Sequence, residues 1–387
     1  MSKPFVGAVR EPPLLPDGPQ ADPMKILYYL TAHGYGHAVR TSTICNELSE
    51  NVRLIFRTAI PEKFFQEEVM RPFEYLPGQF DCGCIQSDSV TVNKKETLQT
   101  YMGMAEQNAV RLEEEVKFCR ARGFDGIVSD ITPFAFEVAR RAGVPSVAVG
   151  NFSWFDIYEP YAQEDPSFEP FLRTIREQYR MAGLLLELTP SIGMPYFRNR
   201  LKVPPVAKPG RNIGDLLKDD LGLKKDQHFA LIYAGELGME GVRWEDLEKF
   251  PDWEFIGIYP LPGAPANYHL LEKKDFFYED LVASAEVMVT KIGYGVVSQA
   301  LINGTPLIYL PRRDFAEFPV LEEAMTEWGH GYRLSREDYC ALKWGKALEE
   351  VSKRGRPQPV ASDGARTCAR EIEKWIRCSA PDGSLTG

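Results

Sequence analysis

Two histidines four residues apart, His33 and His37, lie in a glycine-rich turn, HGYGH, after an apolar segment and before a helical one. A neutral imidazole is the commonest general base near neutral pH, and a carboxylate on its second nitrogen would fix the tautomer and stabilise the imidazolium that forms. Asp130 is the natural partner, because it closes another apolar segment whose strand would end at the same sheet edge. His37 is therefore the expected catalytic base. His33, Gly34 and Gly36 are expected beside it in substrate binding. The spacing of the histidines also admits zinc, but a HEXXH site needs glutamate where Gly34 stands, and no metal is expected.

A second constellation, KIGYGVVSQALINGTPLIYLP, spans Lys291 to Pro311. Gly293 and Gly295 permit close backbone approach ahead of a helix expected over Val296 to Ile302. Free amides and the positive end of that helix suit a phosphate or diphosphate, with Lys291 nearby as a point charge. The loop AGELGMEG, Ala234 to Gly241, places Gly235 in a second glycine turn on the same edge. Together the two turns favour a phosphate-bearing ligand. Asn151 and Trp154, with Phe152, Phe155 and Tyr158, follow a strand expected to end at Val149 and are candidates to line an acceptor pocket, although core packing suits the aromatic residues as well.

These residues need strand-to-helix turns to position them, and the chain supplies the pattern. Lys25 to Thr31, Val52 to Thr58, Gly126 to Ser129 and Pro145 to Val149 read as strands. Helices are expected over Ala38 to Leu48, Pro61 to Met70, Glu96 to Arg122 and Phe134 to Ala142. The alternation resumes with strands at His228 to Ala234, Phe255 to Ile258, Val287 to Thr290 and Leu307 to Leu310. Pro190 to Arg211, rich in proline and basic residues, reads as the linker between two such units. In doubly wound sheets ligands bind beyond the carboxyl ends of the strands, where both constellations fall. The expected fold is α/β, with two Rossmann-like domains facing across a cleft.

Composition agrees with this class. A chain of 387 residues suits two domains, and apolar and charged contents of 44% and 26% are ordinary for globular proteins. The net charge of -10 disfavours broad nucleic-acid or anionic-membrane binding. Seven scattered cysteines, without paired CxxC knuckles, suit free thiols in a reducing cytoplasm. No apolar run has the length of a membrane span. Residues 1–23 hold six prolines and read as a disordered leader.

The segment DLVASAEVMVTKIGYGVVSQALINGTPLIYLPRRDFAEFPVLEEA, Asp280 to Ala324, resembles the donor-binding stretch of inverting, nucleotide-sugar-dependent GT-B glycosyltransferases. HGYGHAVR more narrowly resembles the glycosyltransferase-like region of L-arabinokinases. The resemblance covers about residues 24–360. It implies an acceptor domain over 24–204, a donor domain over 205–360, and a helix and tail over 361–387 that cross back to the first domain. By the same resemblance His37 matches the base of plant-type members and Asp130 its activating aspartate. Lys291 falls where a diphosphate-binding histidine is common, Gln299 where many members have a ribose-binding glutamate, and Glu317 near the position that touches donor sugar or ribose. Tyr294 and Val296 complete the implied donor turn.

The expected activity is metal-independent transfer of a hexosyl or pentosyl group, with inversion, from a UDP-sugar or similar donor to a hydroxyl of a small molecule or glycan. No tightly bound cofactor is expected. A nucleotide-sugar epimerase or hydrolase on the same architecture is the alternative, as is a non-catalytic nucleotide-sugar binding protein.

Overall fold

The computed structural model describes residues 22–233, 235 and 240–379. The expected leader therefore lies almost wholly outside the described residues, as do the end of the tail and most of the loop after Tyr233.

Seven strands form the first sheet: β1 (Met24–Leu30), β2 (Val52–Thr58), β3 (Phe73–Pro77), β4 (Gly126–Asp130), β5 (Ser146–Gly150), β6 (Leu184–Leu188) and β7 (Arg200–Val203). Their spatial order is β3-β2-β1-β4-β5-β6-β7, all parallel. The second sheet holds β8 (His228–Tyr233), β9 (Trp253–Gly257), β10 (Tyr268–Leu270), β11 (Val287–Lys291), β12 (Leu307–Leu310) and β13 (Gly331–Arg333), in the parallel order β10-β9-β8-β11-β12-β13. Strand order reverses between β1 and β4 in one sheet and between β8 and β11 in the other. Those are the switch points at which a crevice opens at a sheet edge.

Helices fill the crossovers, as parallel pairing requires. In the first unit they are α1 (Tyr35–Cys45), α2 (Glu62–Glu68), α3 (Lys94–Arg122), α4 (Phe134–Ala142), α5 (Trp154–Ala162) and α6 (Glu169–Arg180). In the second they are α7 (Gly214–Leu221), α8 (Tyr278–Ser284), α9 (Tyr294–Asn303), α10 (Phe318–Trp328), α11 (Arg336–Cys340) and α12 (Gly345–Arg354). The last helix, α13 (Gly364–Ser379), packs against α1, β5, β6 and β7 and so returns to the first sheet. Strands covered on both faces become continuous apolar runs: all five residues of β4, β5 and β6 are buried. Among the described residues no helix is long and apolar enough to cross a membrane.

Three sequence expectations need correction. The first helix begins at Tyr35 rather than Ala38, because Gly34, at φ 73°, alone makes the bend before it, and His37 sits in the first helical turn. Likewise α9 begins at Tyr294, so Gly295 is its second residue instead of part of the preceding turn. Pro190 to Arg211 contains β7, an edge strand whose first three residues are exposed. Its basic residues face water along an open edge, and the connection between the two sheets is confined to the residues after Val203.

Candidate active site

The β1–β4 register sets Leu30 beside Asp130, bringing the turn after β1 to the carboxylate at the end of β4. His37 Nδ1 lies 2.8 Å from Asp130 Oδ1, with both residues buried. Arg40, one helical turn on from His37, completes the group: its Nε donates to Asp130 Oδ2 at 2.7 Å and its Nη2 to Oδ1 at 2.6 Å. Thr41 Oγ1 donates to Oδ2 at 3.1 Å. Burial pushes the Asp130 carboxyl up, but Arg40 and then His37 outweigh it and hold the pKa at about 2. Asp130 is thus an anion at neutral pH. Asp130 in turn raises the pKa of Arg40 against the effect of burial.

Arg40 also reaches across the cleft. Its Nη1 donates to Asn151 Oδ1 at 2.9 Å, and Asn151 Nδ2 donates to Glu317 Oε2 at 2.7 Å, at the N-cap of α10. Its guanidinium carbon lies 5.4 Å from the centre of the Tyr294 ring, at the start of α9.

His33 sits beside this group, its ring centre 6.5 Å from that of His37, 5.3 Å from Trp154 and 6.3 Å from Phe315. Its Nδ1 accepts the Cys84 N–H at 3.1 Å, which leaves the proton of the neutral ring on Nε2 as a donor. Burial, followed by electrostatic repulsion from the neighbouring His37, Arg312 and Lys291 side chains, pushes the His33 pKa well below its ordinary value. Gly83 makes this packing possible: its φ is +61°, and a Cβ there would lie 2.3 Å from His33 Cβ. Gly34 and Gly36 are exposed, and a Cβ on either would meet no atom within 4 Å. Trp154 is fully buried, packed against His33, Phe152 and Tyr158 in an aromatic core cluster.

The opposite wall is cationic. Lys291 ends β11, and Arg312 follows β12 by two residues. Arg312 is 8% exposed, its guanidinium carbon 3.5 Å from the centre of the Phe315 ring. Its Nε is buried without a hydrogen-bond partner, and neither cation has a carboxylate partner within ion-pair distance among the described residues. A Cβ on Gly293 would lie 3.7 Å from Arg312 Nη1, and one on Gly235 would lie 3.6 Å from Lys291 Nζ, so both cations border the glycine turns. Burial and then Arg312 lower the Lys291 pKa to about 7. Two cations that repel each other, Arg312 buried and Lys291 half-buried, stand beside a helix N-terminus and form a cradle suited to phosphate oxygens.

Other expected donor residues are already engaged. Gln299 Oε1 accepts from Asn303 Nδ2 at 2.8 Å, the Tyr294 hydroxyl accepts the Val206 N–H at 3.1 Å, and Glu317 is held by Asn151. Val296 is half-buried and Gly295 exposed on the first turn of α9. Among the described residues no group of three or more His, Cys, Asp and Glu side chains gathers as metal ligands would. Sequence reasoning missed Arg40 and Arg312. The i to i+3 spacing from His37 would have flagged the first, and position just past a strand end the second.

No model of a known protein family matches the chain. It is 30% identical over 332 residues to an L-arabinokinase from Arabidopsis thaliana, an alignment covering 84% of this chain and 32% of that protein. It is 28% identical over 123 residues to a UDP-N-acetylglucosamine--N-acetylmuramyl-(pentapeptide) pyrophosphoryl-undecaprenol N-acetylglucosamine transferase from Christiangramia forsetii, covering 29% of this chain and 34% of that enzyme. The chain thus spans about a third of the length of each of these relatives. Among solved structures, a UDP-glucosyltransferase from Polygonum tinctorium capable of glucosylating indoxyl superposes with a TM-score of 0.61 at 14% identity, over 95% of this chain and 96% of that one. The fold is that of the GT-B glycosyltransferases, with two parallel-sheet α/β domains.

Proposed function

We propose that this protein is an inverting glycosyltransferase in which His37 is the base and a nucleoside-diphosphate sugar, such as a UDP-sugar, is the donor. The observation that carries this reading is the meeting of a His37–Asp130 pair at one sheet edge with a helix N-terminus and two cations that have no carboxylate partner among the described residues at the other. His37 Nε2 takes the proton of an acceptor hydroxyl, and the oxygen attacks the anomeric carbon from the face opposite the diphosphate. The new C–O bond forms as the bond to the diphosphate oxygen breaks, and the leaving group's charge falls on Lys291, Arg312 and the amides that open α9. His33 Nε2–H orients the sugar or acceptor, with Trp154 packed behind the His33 ring. The acceptor belongs to residues 24–204 and the donor to 205–360, with α13 tying the second unit to the first. The relatives named above support this reading by the words glucosyltransferase and N-acetylglucosamine transferase in two of their names.

Thermal-shift screening against UDP, GDP, ADP and dTDP identifies the donor base, since a ligand that binds only the native state raises its apparent stability. With the responding nucleotide's sugars and an acceptor panel, His37→Ala is expected to lower turnover by roughly 100-fold or more while leaving nucleotide binding intact. Undiminished turnover in His37→Ala removes the base assignment. A free sugar formed without any acceptor product makes the protein a hydrolase.

A further inference from the structure

The group around Asp130 holds more than a histidine and a carboxylate need. An ionised carboxylate only accepts hydrogen bonds and offers about four lone-pair sites. Asp130, fully buried, has four donors in reach: Arg40 Nε at 2.7 Å, Arg40 Nη2 at 2.6 Å, Thr41 Oγ1 at 3.1 Å and His37 Nδ1 at 2.8 Å. For the fourth contact to be a hydrogen bond, His37 must carry its proton on Nδ1. That leaves the Nε2 lone pair free. Arg40 Nη2 also lies 2.9 Å from His37 Nδ1, so the opposite arrangement, with the guanidinium donating to an unprotonated Nδ1, is within reach of the same atoms. What selects between the two is how firmly Arg40 is held on Asp130. That hold depends on the other unit: Nη1 is anchored by Asn151, Asn151 is anchored by Glu317, and the Tyr294 ring lies against the guanidinium.

We infer that Arg40 is a positioning residue that sets the tautomer of His37, and that the chain Arg40–Asn151–Glu317 ties this setting to contact between the two units across the cleft. This inference rests on the reading of His37 as the base. A base whose tautomer is secured only while the cleft is closed does not abstract protons in the open enzyme, where no donor is in place. The other groups near the His37 ring are His33, Phe152, Trp154 and Asp81, and none of them contacts Nδ1. The selection therefore falls to Arg40 and Asp130.

The test uses the full chain with 15N-labelled histidine, read by NMR at a pH where the ring is neutral. There are five histidines, and His37→Gln assigns the signal. Wild type is expected to carry the proton on Nδ1, whereas Arg40→Gln, which takes away the two guanidinium donors that fix the Asp130 carboxylate in place, is expected to shift the ring toward the mixture dominated by Nε2–H that free histidine shows. Should Arg40→Gln fail to fold, Arg40→Lys gives the same reading, since lysine keeps the charge but cannot hold both oxygens and Asn151 together. Glu317→Ala is expected to move the ring part of the way. A wild-type ring protonated on Nε2, or one unmoved in the Arg40 variants, overturns the assignment of Arg40; a ring unmoved in Glu317→Ala overturns the link across the cleft. In turnover, Arg40→Lys is expected to lower kcat about tenfold or more with little change in the donor KM. Because the ring signal needs no substrate, normal turnover in His37→Ala, which defeats the base reading, is a separate result from an unmoved tautomer.

Discussion

Lys291 makes the cationic wall sensitive to pH. With its pKa lowered to about 7, the empty site loses this charge as pH rises through neutrality, while Arg312 keeps its own. Phosphate oxygens beside Lys291 are expected to restore the proton, so that nucleotide binding takes one up above pH 7. Affinity for UDP is expected to fall between pH 7 and pH 9, by at most about tenfold per unit. Calorimetry in buffers of different ionisation heat measures this uptake. Lys291→Met should bind UDP more weakly and with a flat pH profile, and an equal slope in wild type and variant would refute the role of Lys291. Stability moves in the opposite sense. Between about 7 and the ordinary lysine value of 10.5 the unfolded chain binds a proton that the native empty protein lacks, so stability from this group rises with pH across that window. His37, Asp130 and Lys291 were legible in the sequence because each lies at or just beyond an apolar strand, where parallel-sheet geometry alone gathers them. Arg40 and Arg312 were not. An arginine in a helical or loop segment ordinarily means a solvated surface, and only tertiary burial against Asp130 or Phe315 gives these two another meaning.

The elements hold the site through α13 as much as through the sheets. Ile372 and Ile376 are fully buried on α13, which lies against α1, the helix that carries His37 and Arg40. Glu373 on the same helix accepts from the Ser49 N–H at 2.7 Å and from Ser49 Oγ at 2.8 Å, just past the end of α1. A Cβ on Gly126 would come within 2.3 Å of Ile376 Cδ1, so β4 and α13 touch at the strand that ends in Asp130. Ile372→Ala is expected to cost about 2–5 kcal/mol in urea unfolding and to speed hydrogen exchange in α1 more than in α9. Equal acceleration in both helices would mean that α13 supports the fold as a whole and not α1 in particular. The periodicity of Ile372, Trp375 and Ile376 marks the helix in the sequence, and strands such as Val52 to Thr58 and Leu307 to Leu310 are legible to the residue. The first turns of α1 and α9 are hidden because their glycines imitate loop, and β7 because an exposed edge strand lacks an apolar run.

At the scale of the whole molecule the two units meet at apolar contacts, such as Phe315 packed into the cluster around Trp154 and Val90 packed into the core of the second unit, and at charged and polar points that flank the cleft. Arg336, in the second unit, donates from Nη2 to Asp88 Oδ2 at 3.0 Å, and its Nη1 reaches Thr91 Oγ1 at 3.2 Å. Lys94 approaches Asp314 at 3.5 Å, and the Tyr161 hydroxyl donates to the Asp314 carbonyl. Asp88 also accepts the N–H groups of Val90 and Thr91, and so shapes the segment that contains Cys84, the donor to His33. Arg336 is half exposed, so its pair with Asp88 contributes no more than about 1 kcal/mol. Such a term is too small to alter global unfolding appreciably, yet it bears wholly on the equilibrium between open and closed cleft. There 1 kcal/mol is a factor of about five in the closed population. Arg336→Ala is therefore expected to leave the Tm almost unchanged, to accelerate hydrogen exchange over residues 85–93, and to raise the radius of gyration by X-ray scattering. Saturating UDP should reverse both changes, because a ligand held by Lys291 and Arg312 faces His33 and the 85–93 segment from the other side. Exchange over 85–93 that is identical in wild type and Arg336→Ala would show that this ion pair does not close the cleft, and would leave that role to the other contacts between the units, Lys94–Asp314, Tyr161–Asp314, Asn151–Glu317 and Arg40–Tyr294 among them.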